Sequence, residues 1–252
     1  MTTRVALITG GAQGIGRAIA LRLAQDGCDI AIDDIPSKSN ELESVANEIQ
    51  NLGRKVITLT HDVRKEESVR EMVEQTVTAL GRLNIMVANA GVGSNGRQEV
   101  VEADLSAWDT VWDVNIRGVI LCYKYAARQM IKQGFGGRII GACSICGLKG
   151  FAKIGDYCIS KAAVRSLTQT AALELKDQNI TVNAYAPGVI DTAMTRRYEQ
   201  GLDSDDATMG TKRILRMPEA KTGQPDDVAN LVSYLASPGA RHVTGAYHSQ
   251  IA

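Results

Sequence analysis

Tyr157 and Lys161 stand four residues apart, and Ser144 lies thirteen residues before the tyrosine. Together these groups could move a proton to or from a carbonyl oxygen. A phenol with a pKa of about 10 is only about 0.1 % ionised at neutral pH. A lysine cation beside it favours the phenolate, and residues at i and i+4 share one helix face. Drawing the phenol into a working range takes about 3–4 kcal/mol of differential interaction. Tyr-x-x-x-Lys also occurs on ordinary amphipathic helices, so the pair gains meaning only from the rest of the chain.

Short apolar runs alternate with helical patterns along the 252 residues. Strands are expected at 4–9, 29–32, 55–59, 85–88, 138–142 and 181–185. Helices are expected at 16–26, 41–52, 66–80, 106–133, 157–176 and 225–236. This repeat predicts an α/β fold: a doubly wound parallel sheet of Rossmann type, covered by helices on both faces. No linker or composition break divides the chain, which reads as a single domain, 1–252. Residues 188–223 carry no sustained strand pattern, and a Gly, Asp, Ser and Thr stretch at 201–211 interrupts them. Such an excursion predicts a substrate lid. Its charges nearly cancel, so it gives no sign of an anionic substrate.

The first strand runs into Thr9-Gly10-Gly11-Ala12-Gln13-Gly14-Ile15-Gly16. Glycines there permit a tight turn and a close approach of backbone to a pyrophosphate, at a helix N-terminus that favours anions. A glycine loop between a first strand and a helix is a much stronger signal than the loop alone. The second strand ends at Asp33-Asp34. An acidic side chain there can accept from the adenosine ribose hydroxyls and repel a 2′-phosphate. Alternation favours Asp34 over Asp33. With Gln13 in the loop and Lys38 the only base nearby, NAD(H) is favoured over NADP(H).

Composition excludes several other classes. Lysine plus arginine and aspartate plus glutamate number 28 each, which argues against nucleic acid or an anionic membrane as main partner. No apolar run reaches the length of a membrane span. Five cysteines, an odd number, suggest reduced thiols and a cytoplasmic setting. Cys143-x-x-Cys146 lacks a second ligand pair and reads as packing or pocket lining. Three histidines, His61, His242 and His248, form no metal-binding spacing, so no metal is expected.

Taken in order, these motifs resemble the short-chain dehydrogenase/reductase family. They are Thr9 to Gly16, Asp62-Val63, Asn89-Ala90-Gly91, Asn115, Ser144, Tyr157-x-x-x-Lys161, and Pro187-Gly188 with Thr192. The resemblance implies that Tyr157 is the general acid or base and that Lys161 lowers its pKa and holds the nicotinamide ribose. It implies that Ser144 polarises the carbonyl and that Asn115 holds a water linking Lys161 to solvent. Gly10, Gln13, Gly14, Ile15 and Gly16 would take the pyrophosphate, Asp34 the ribose, and Asp62 and Val63 the adenine. Asn89, Ala90 and Gly91 would line the cofactor path. Pro187, Gly188, Ile190 and Thr192 would lie at the nicotinamide, with Ile190 and Thr192 fixing its carboxamide.

Within the family the loop, the first helix and the stretches at 137–144, 167–172 and 180–188 are most similar to acetoin/diacetyl reductases (butanediol dehydrogenases). Ser144, Ile145, Cys146, Tyr157, Gly188 and Met194 would line a small, mostly apolar substrate pocket. That suits a small ketone or secondary alcohol; a sugar or polyol, or an NADP(H)-linked carbonyl or 3-oxoacyl reductase, stays open. A catalytically silent dinucleotide-binding regulator is the non-enzyme alternative, although such chains lose the serine, tyrosine or lysine that are all present here. The resemblance also implies a homo-oligomer, dimer or tetramer. The tail departs from the family: after Val243-Thr244-Gly245 the chain reads Ala246-Tyr-His-Ser-Gln-Ile-Ala252, without the usual Asp-Gly-Gly. A shortened or altered last strand is therefore expected.

Overall fold

The structure, a computed structural model, describes residues 3–95, 97–197 and 206–250. Seven strands are present among them: β1 (Val5–Thr9), β2 (Asp29–Asp33), β3 (Val56–Leu59), β4 (Ile85–Ala88), β5 (Gly137–Ala142), β6 (Ile180–Pro187) and β7 (Tyr247–Gln250). They form one sheet in the order β3-β2-β1-β4-β5-β6-β7, with every adjacent pair parallel. Helices α1 (Gly14–Gln25), α2 (Ser39–Asn51), α3 (Glu66–Leu80), α4 (Leu105–Trp112), α5 (Val119–Gln133), α6 (Gly155–Leu175), α7 (Ala193–Arg196), α8 (Met209–Ile214) and α9 (Pro225–Ala236) connect and flank it.

The continuous apolar strands explain this architecture. A sheet made from Val5-Ala-Leu-Ile and Ile85-Met-Val-Ala needs cover on both faces. Successive side chains point to opposite faces. On one face Ile8, Ile30 and Ile85 pack with Ile19 and Leu23 of α1 and Val228 and Val232 of α9. On the other, Leu7, Met86 and Ile139 pack with Met72 of α3 and Cys122 and Met130 of α5. The strand order reverses between β1 and β4, which opens a crevice at their carboxyl ends, where open α/β sheets bind ligands.

Three local features bear on the sequence expectations. The helix expected over 106–133 is broken by a π-helical turn, Asp113–Gly118. At that turn Asn115 is pinned sideways to Val92 and Ser160. Gly118 lies so close to Val63 that a Cβ there would sit 2.9 Å from its methyl carbon. The lid region contains α7, α8 and a parallel bridge between Ile190 and Gly223; its stretch 198–205 lies outside the described residues. The altered tail forms a four-residue strand, because pairing uses backbone groups: Gly245 N–H donates to Val182 O (2.8 Å) and Ala184 N–H to Ala246 O (3.0 Å). Residues 251–252 lie outside the described residues.

Candidate active site

The ends of β1, β4 and β6 are tied together beneath the crevice. Thr9 Oγ1 accepts from the N–H groups of Asn89 and Ala90, both at 3.1 Å. Asn89 Nδ2 donates to Thr9 O (2.9 Å) and Gly10 O (3.1 Å), and Tyr185 Oη donates to Asn89 Oδ1 (2.7 Å). The glycine loop sits on this floor. Gly10 has φ +67°, and a Cβ on Gly16 would lie 2.0 Å from Gly10 O, so neither position tolerates a side chain. The N-terminus of α1 consequently faces the crevice with no acidic residue in its first turn.

A cavity of about 480 Å³ extends from this loop to Tyr157. Its walls include Gly10, Gln13, Gly14, Ile15, Gly16, Asp34, Asp62, Val63, Asn89, Ala90, Gly91, Pro187, Thr192 and Met194, all expected from sequence, and Tyr157 with Lys161. Asn115, Ser144, Ile145, Cys146, Gly188 and Ile190 do not line it. Ile190 packs in the main core and is 5 % exposed. Its carbonyl accepts from Thr195 Oγ1 at 2.7 Å. Ile145 and Cys146 belong to a separate cluster with Ile154, Val189 and Leu215, against which Tyr157 packs.

At the far end the two aspartates divide. Asp34 faces the loop: its Oδ2 accepts from Ala12 N–H (3.1 Å) and its Oδ1 from Ile35 N–H (2.9 Å). Asp33 is buried and accepts from His61 N–H (2.9 Å), with the His61 ring nitrogen Nδ1 at 3.1 Å. Its other oxygen, Oδ2, has no partner among the described residues. Burial pushes the Asp33 carboxyl up to about 6, against the opposing hydrogen bond from His61. Lys38 is not the only base here, because parallel pairing of β2 and β3 brings His61 and Arg64 to the same wall. Lys38 pairs with Glu41 (2.7 Å), and Arg64 grips Asp62 at 2.9 and 2.8 Å. Sequence reasoning missed His61 and Arg64; a map of the strand register would have found them.

The reaction end is built by α6 and the π turn. Asp156 is buried at the start of α6 and accepts from Ser94 Oγ (2.6 Å), Asn95 N–H (2.9 Å) and Tyr157 N–H (2.7 Å). Ser160 Oγ donates to Tyr157 O (2.8 Å) and accepts from Asn115 Nδ2 (3.1 Å). Asn115 Nδ2 also donates to Val92 O, and its Oδ1 accepts from Val92 N–H, both at 2.9 Å. Both amide hydrogens of Asn115 are therefore committed to protein. Lys161, 4 % exposed, donates from Nζ to Ala142 O at 2.9 Å and lies 5.5 Å from the centre of the Tyr157 ring. A Cβ on Gly91 would stand 3.4 Å from Lys161 Nζ and 3.3 Å from Asn115 Oδ1, so this glycine keeps the lysine open to the cavity.

Burial pushes the Tyr157 phenol up, with nearby thiols adding to it, and a hydrogen bond with Ser144 only partly opposes this. Burial also draws the Lys161 ammonium down to about 8. Ser144 Oγ accepts from Cys146 N–H (3.2 Å), which leaves its own hydrogen available to donate. The arrangement can thus present two O–H donors, a phenol and a serine, to one oxygen atom beside a glycine-lined groove.

The chain is similar to known proteins along nearly its whole length. Residues 4–203 match the short chain dehydrogenase family. The short-chain dehydrogenase/reductase eriH of Hericium erinaceus is 43 % identical over 96 % of this chain and 93 % of its own. The diacetyl reductase [(S)-acetoin forming] of Staphylococcus epidermidis is 40 % identical over 96 % and 95 %, and its 3-oxoacyl-[acyl-carrier-protein] reductase FabG 37 % over 95 % and 94 %. Acetoin dehydrogenase YohF from Salmonella typhimurium superposes with a TM-score of 0.85 at 33 % identity, over 98 % of this chain and 94 % of that one. Carveol dehydrogenase from Mycobacterium avium in complex with NAD gives 0.87 at 31 %, over 98 % and 95 %. A short chain dehydrogenase from Burkholderia cenocepacia in complex with NADP gives 0.84 at 35 %, also over 98 % and 95 %. The chain belongs to the short-chain dehydrogenase/reductase family of oxidoreductases, which act on alcohols and carbonyls with a nicotinamide dinucleotide.

Proposed function

We propose that this protein is an NAD(H)-dependent reductase of small ketones of the diacetyl and acetoin type, working reversibly on the matching secondary alcohols. The observation that carries the reading is the Tyr157–Ser144 pair beside buried Lys161, at the end of a groove that begins at Asp34. The loop that a Cβ on Gly16 would fill fits a pyrophosphate, and the Asp34 carboxylate fits a ribose diol. A bound nicotinamide dinucleotide would supply the hydride. Everything else falls to the chain's own side chains. Ser144 Oγ donates to the substrate oxygen and stabilises the negative charge that grows on it. Tyr157 Oη gives that oxygen a proton in reduction and takes it back in oxidation. A phenol held protonated by burial suits the role of acid. Lys161 holds the nicotinamide ribose and offsets the charge on the phenolate once the proton has left. With both Asn115 amide hydrogens committed, a relay water at Asn115 would donate to one of its oxygens.

Asp34 favours NAD(H) because a 2′-phosphate beside it would meet a carboxylate, while Lys38 and Arg64 are occupied by Glu41 and Asp62. Substrate class is supported by the sequence likeness to diacetyl reductase and by the apolar side chain of Met194 on the cavity wall. A 3-oxoacyl substrate is the second reading, motivated by the 37 % identity to FabG. A cofactor-consumption screen separates them: both nicotinamides against diacetyl, acetoin, the butanediol isomers, ketoses, polyols and a 3-oxoacyl thioester. Fast NADH-linked turnover of diacetyl or acetoin is expected; preference for the thioester with NADPH would overturn the reading. We also propose a cytoplasmic homo-oligomer; the exposed apolar side chains of Val100, Val101, Leu105 and Leu173 motivate the assembly. Light scattering at a single chain mass would refute it.

A further inference from the structure

The C-x-x-C of the sequence is not the thiol pair that the fold assembles. Cys143 is spoken for: its Sγ contacts Lys161 O (3.3 Å) and Ser144 O (3.5 Å). Cys146 instead meets Cys158, twelve residues further on, within the cluster that also contains Tyr157. Cys146 is 5 % exposed, whereas Cys158 is half-buried and reachable. Cys158 also lies in the first turn of α6, where helix N–H groups and the dipole favour an anion. The hydrogen bond from Cys146, and a second from the Phe151 backbone, draw the Cys158 thiol below its usual range against burial and the Asp156 carboxylate. The same bond and burial push Cys146 up. The more exposed thiol is thus the one that an oxidant reaches first, and its buried neighbour stands ready to resolve it.

We propose that Cys146 and Cys158 are a modification site at which a hydroperoxide forms a reversible disulfide that switches off the reaction centre. The Cys158 thiolate attacks one peroxide oxygen, the O–O bond breaks, and hydroxide (or alkoxide) leaves with its electron pair; Cys158 becomes a sulfenic acid. The Cys146 sulfur then attacks the Cys158 sulfur, the S–O bond breaks, and the hydroxide takes up the thiol proton as water. Two thiols and one hydrogen peroxide give one disulfide and two waters. The consequence for activity rests on the roles proposed above for Ser144 and Tyr157. Cys146 N–H donates to Ser144 Oγ (3.2 Å), and Cys158 follows Tyr157 in the chain. A disulfide draws the two Cβ atoms to about 3.8 Å, and so shifts the serine turn against the first turn of α6. The groove residues Gly10 to Gly16 and Asp34 stand on other elements, so dinucleotide binding persists.

The test treats the reduced protein with hydrogen peroxide, alkylates the remaining thiols and maps cross-linked peptides by mass spectrometry. The expected result is a Cys146–Cys158 cross-link, ketone reduction lowered about a hundredfold, NADH affinity retained, and recovery with dithiothreitol. Cys158→Ser, compared with its own untreated rate, should resist inactivation. A Cys143–Cys146 cross-link, oxidation that stops at Cys158 without a bond, full activity in the cross-linked protein, or inactivation that persists in Cys158→Ser overturns the proposal. Mapping uses the wild-type chain and needs no substrate, so it stands if Cys158→Ser folds poorly. It also keeps a failure here distinct from a failure of diacetyl reduction.

Discussion

At the scale of single residues, the proposed chemistry depends on which groups hold protons. Burial keeps Tyr157 protonated and draws Lys161 down to about 8. The lysine is therefore a cation below about pH 8 and loses its charge as the pH rises through that value. If the ammonium offsets phenolate charge, kcat/KM for reduction should be level in the neutral range and fall above about pH 8. A pH–rate profile that stays flat to about pH 10 would contradict this. Asp34 has the other chemical assignment that a single change can test. Replacing Asp34 by Ser removes the carboxylate that a 2′-phosphate would meet. The ratio of kcat/KM with NADH to that with NADPH should fall at least about tenfold, equivalent to about 1.4 kcal/mol. An unchanged ratio would move the discrimination to another residue, with Asp33 the first to examine.

At the scale of elements, the sequence patterns were informative where one periodicity ran unbroken. The ranges 66–80, 85–88 and 225–236 match α3, β4 and α9 to the residue. Periodicity did not reveal the π turn at Asp113–Gly118, because that break is caused by tertiary contacts of Asn115 and Gly118 with distant residues. Nor did it reveal that His61 and Arg64 share a wall with Asp34, which depends on parallel register between β2 and β3. The contact of Cys146 with Cys158 was hidden for the same reason, since it joins two elements. Asp33 shows how such a contact enters stability. Its carboxyl titrates near about 6 in the fold and near about 3.9 in an unfolded chain. A raised pKa means stability that is complete below about pH 4 and is lost as the pH rises through about 6. The loss is about 3 kcal/mol. Asp33→Asn removes the charge and leaves an oxygen to accept from His61. The Tm difference between Asp33→Asn and wild type should therefore be several degrees more favourable at about pH 7.5 than at about pH 4.5. A difference independent of pH would show that Asp33 carries no such penalty.

At the scale of the whole molecule, the sheet order gathers the glycine loop, Asp34, Tyr157 and Lys161 along one crevice. The reversal between β1 and β4 opens the groove, the end of β2 brings Asp34 to it, and α6 brings the phenol and the ammonium. The glycine loop, Asp34 and the Tyr157–Lys161 spacing were legible as local motifs, whereas the Ser144–Tyr157 contact needed the fold to bring β5 and α6 together. The last strand forms despite the altered tail, so the sheet edge beside β6 is covered. In the proposed function this assembly reduces a small ketone through Tyr157. Its most direct test is the rate of NADH oxidation with diacetyl by wild type and Tyr157→Phe, with NADH affinity measured in parallel by fluorescence. The account predicts turnover by the wild type, a loss of at least about a hundredfold in the variant, and NADH affinities equal within about threefold. Variant activity close to wild type, or a wild type that binds NADH and turns over no ketone, would contradict it.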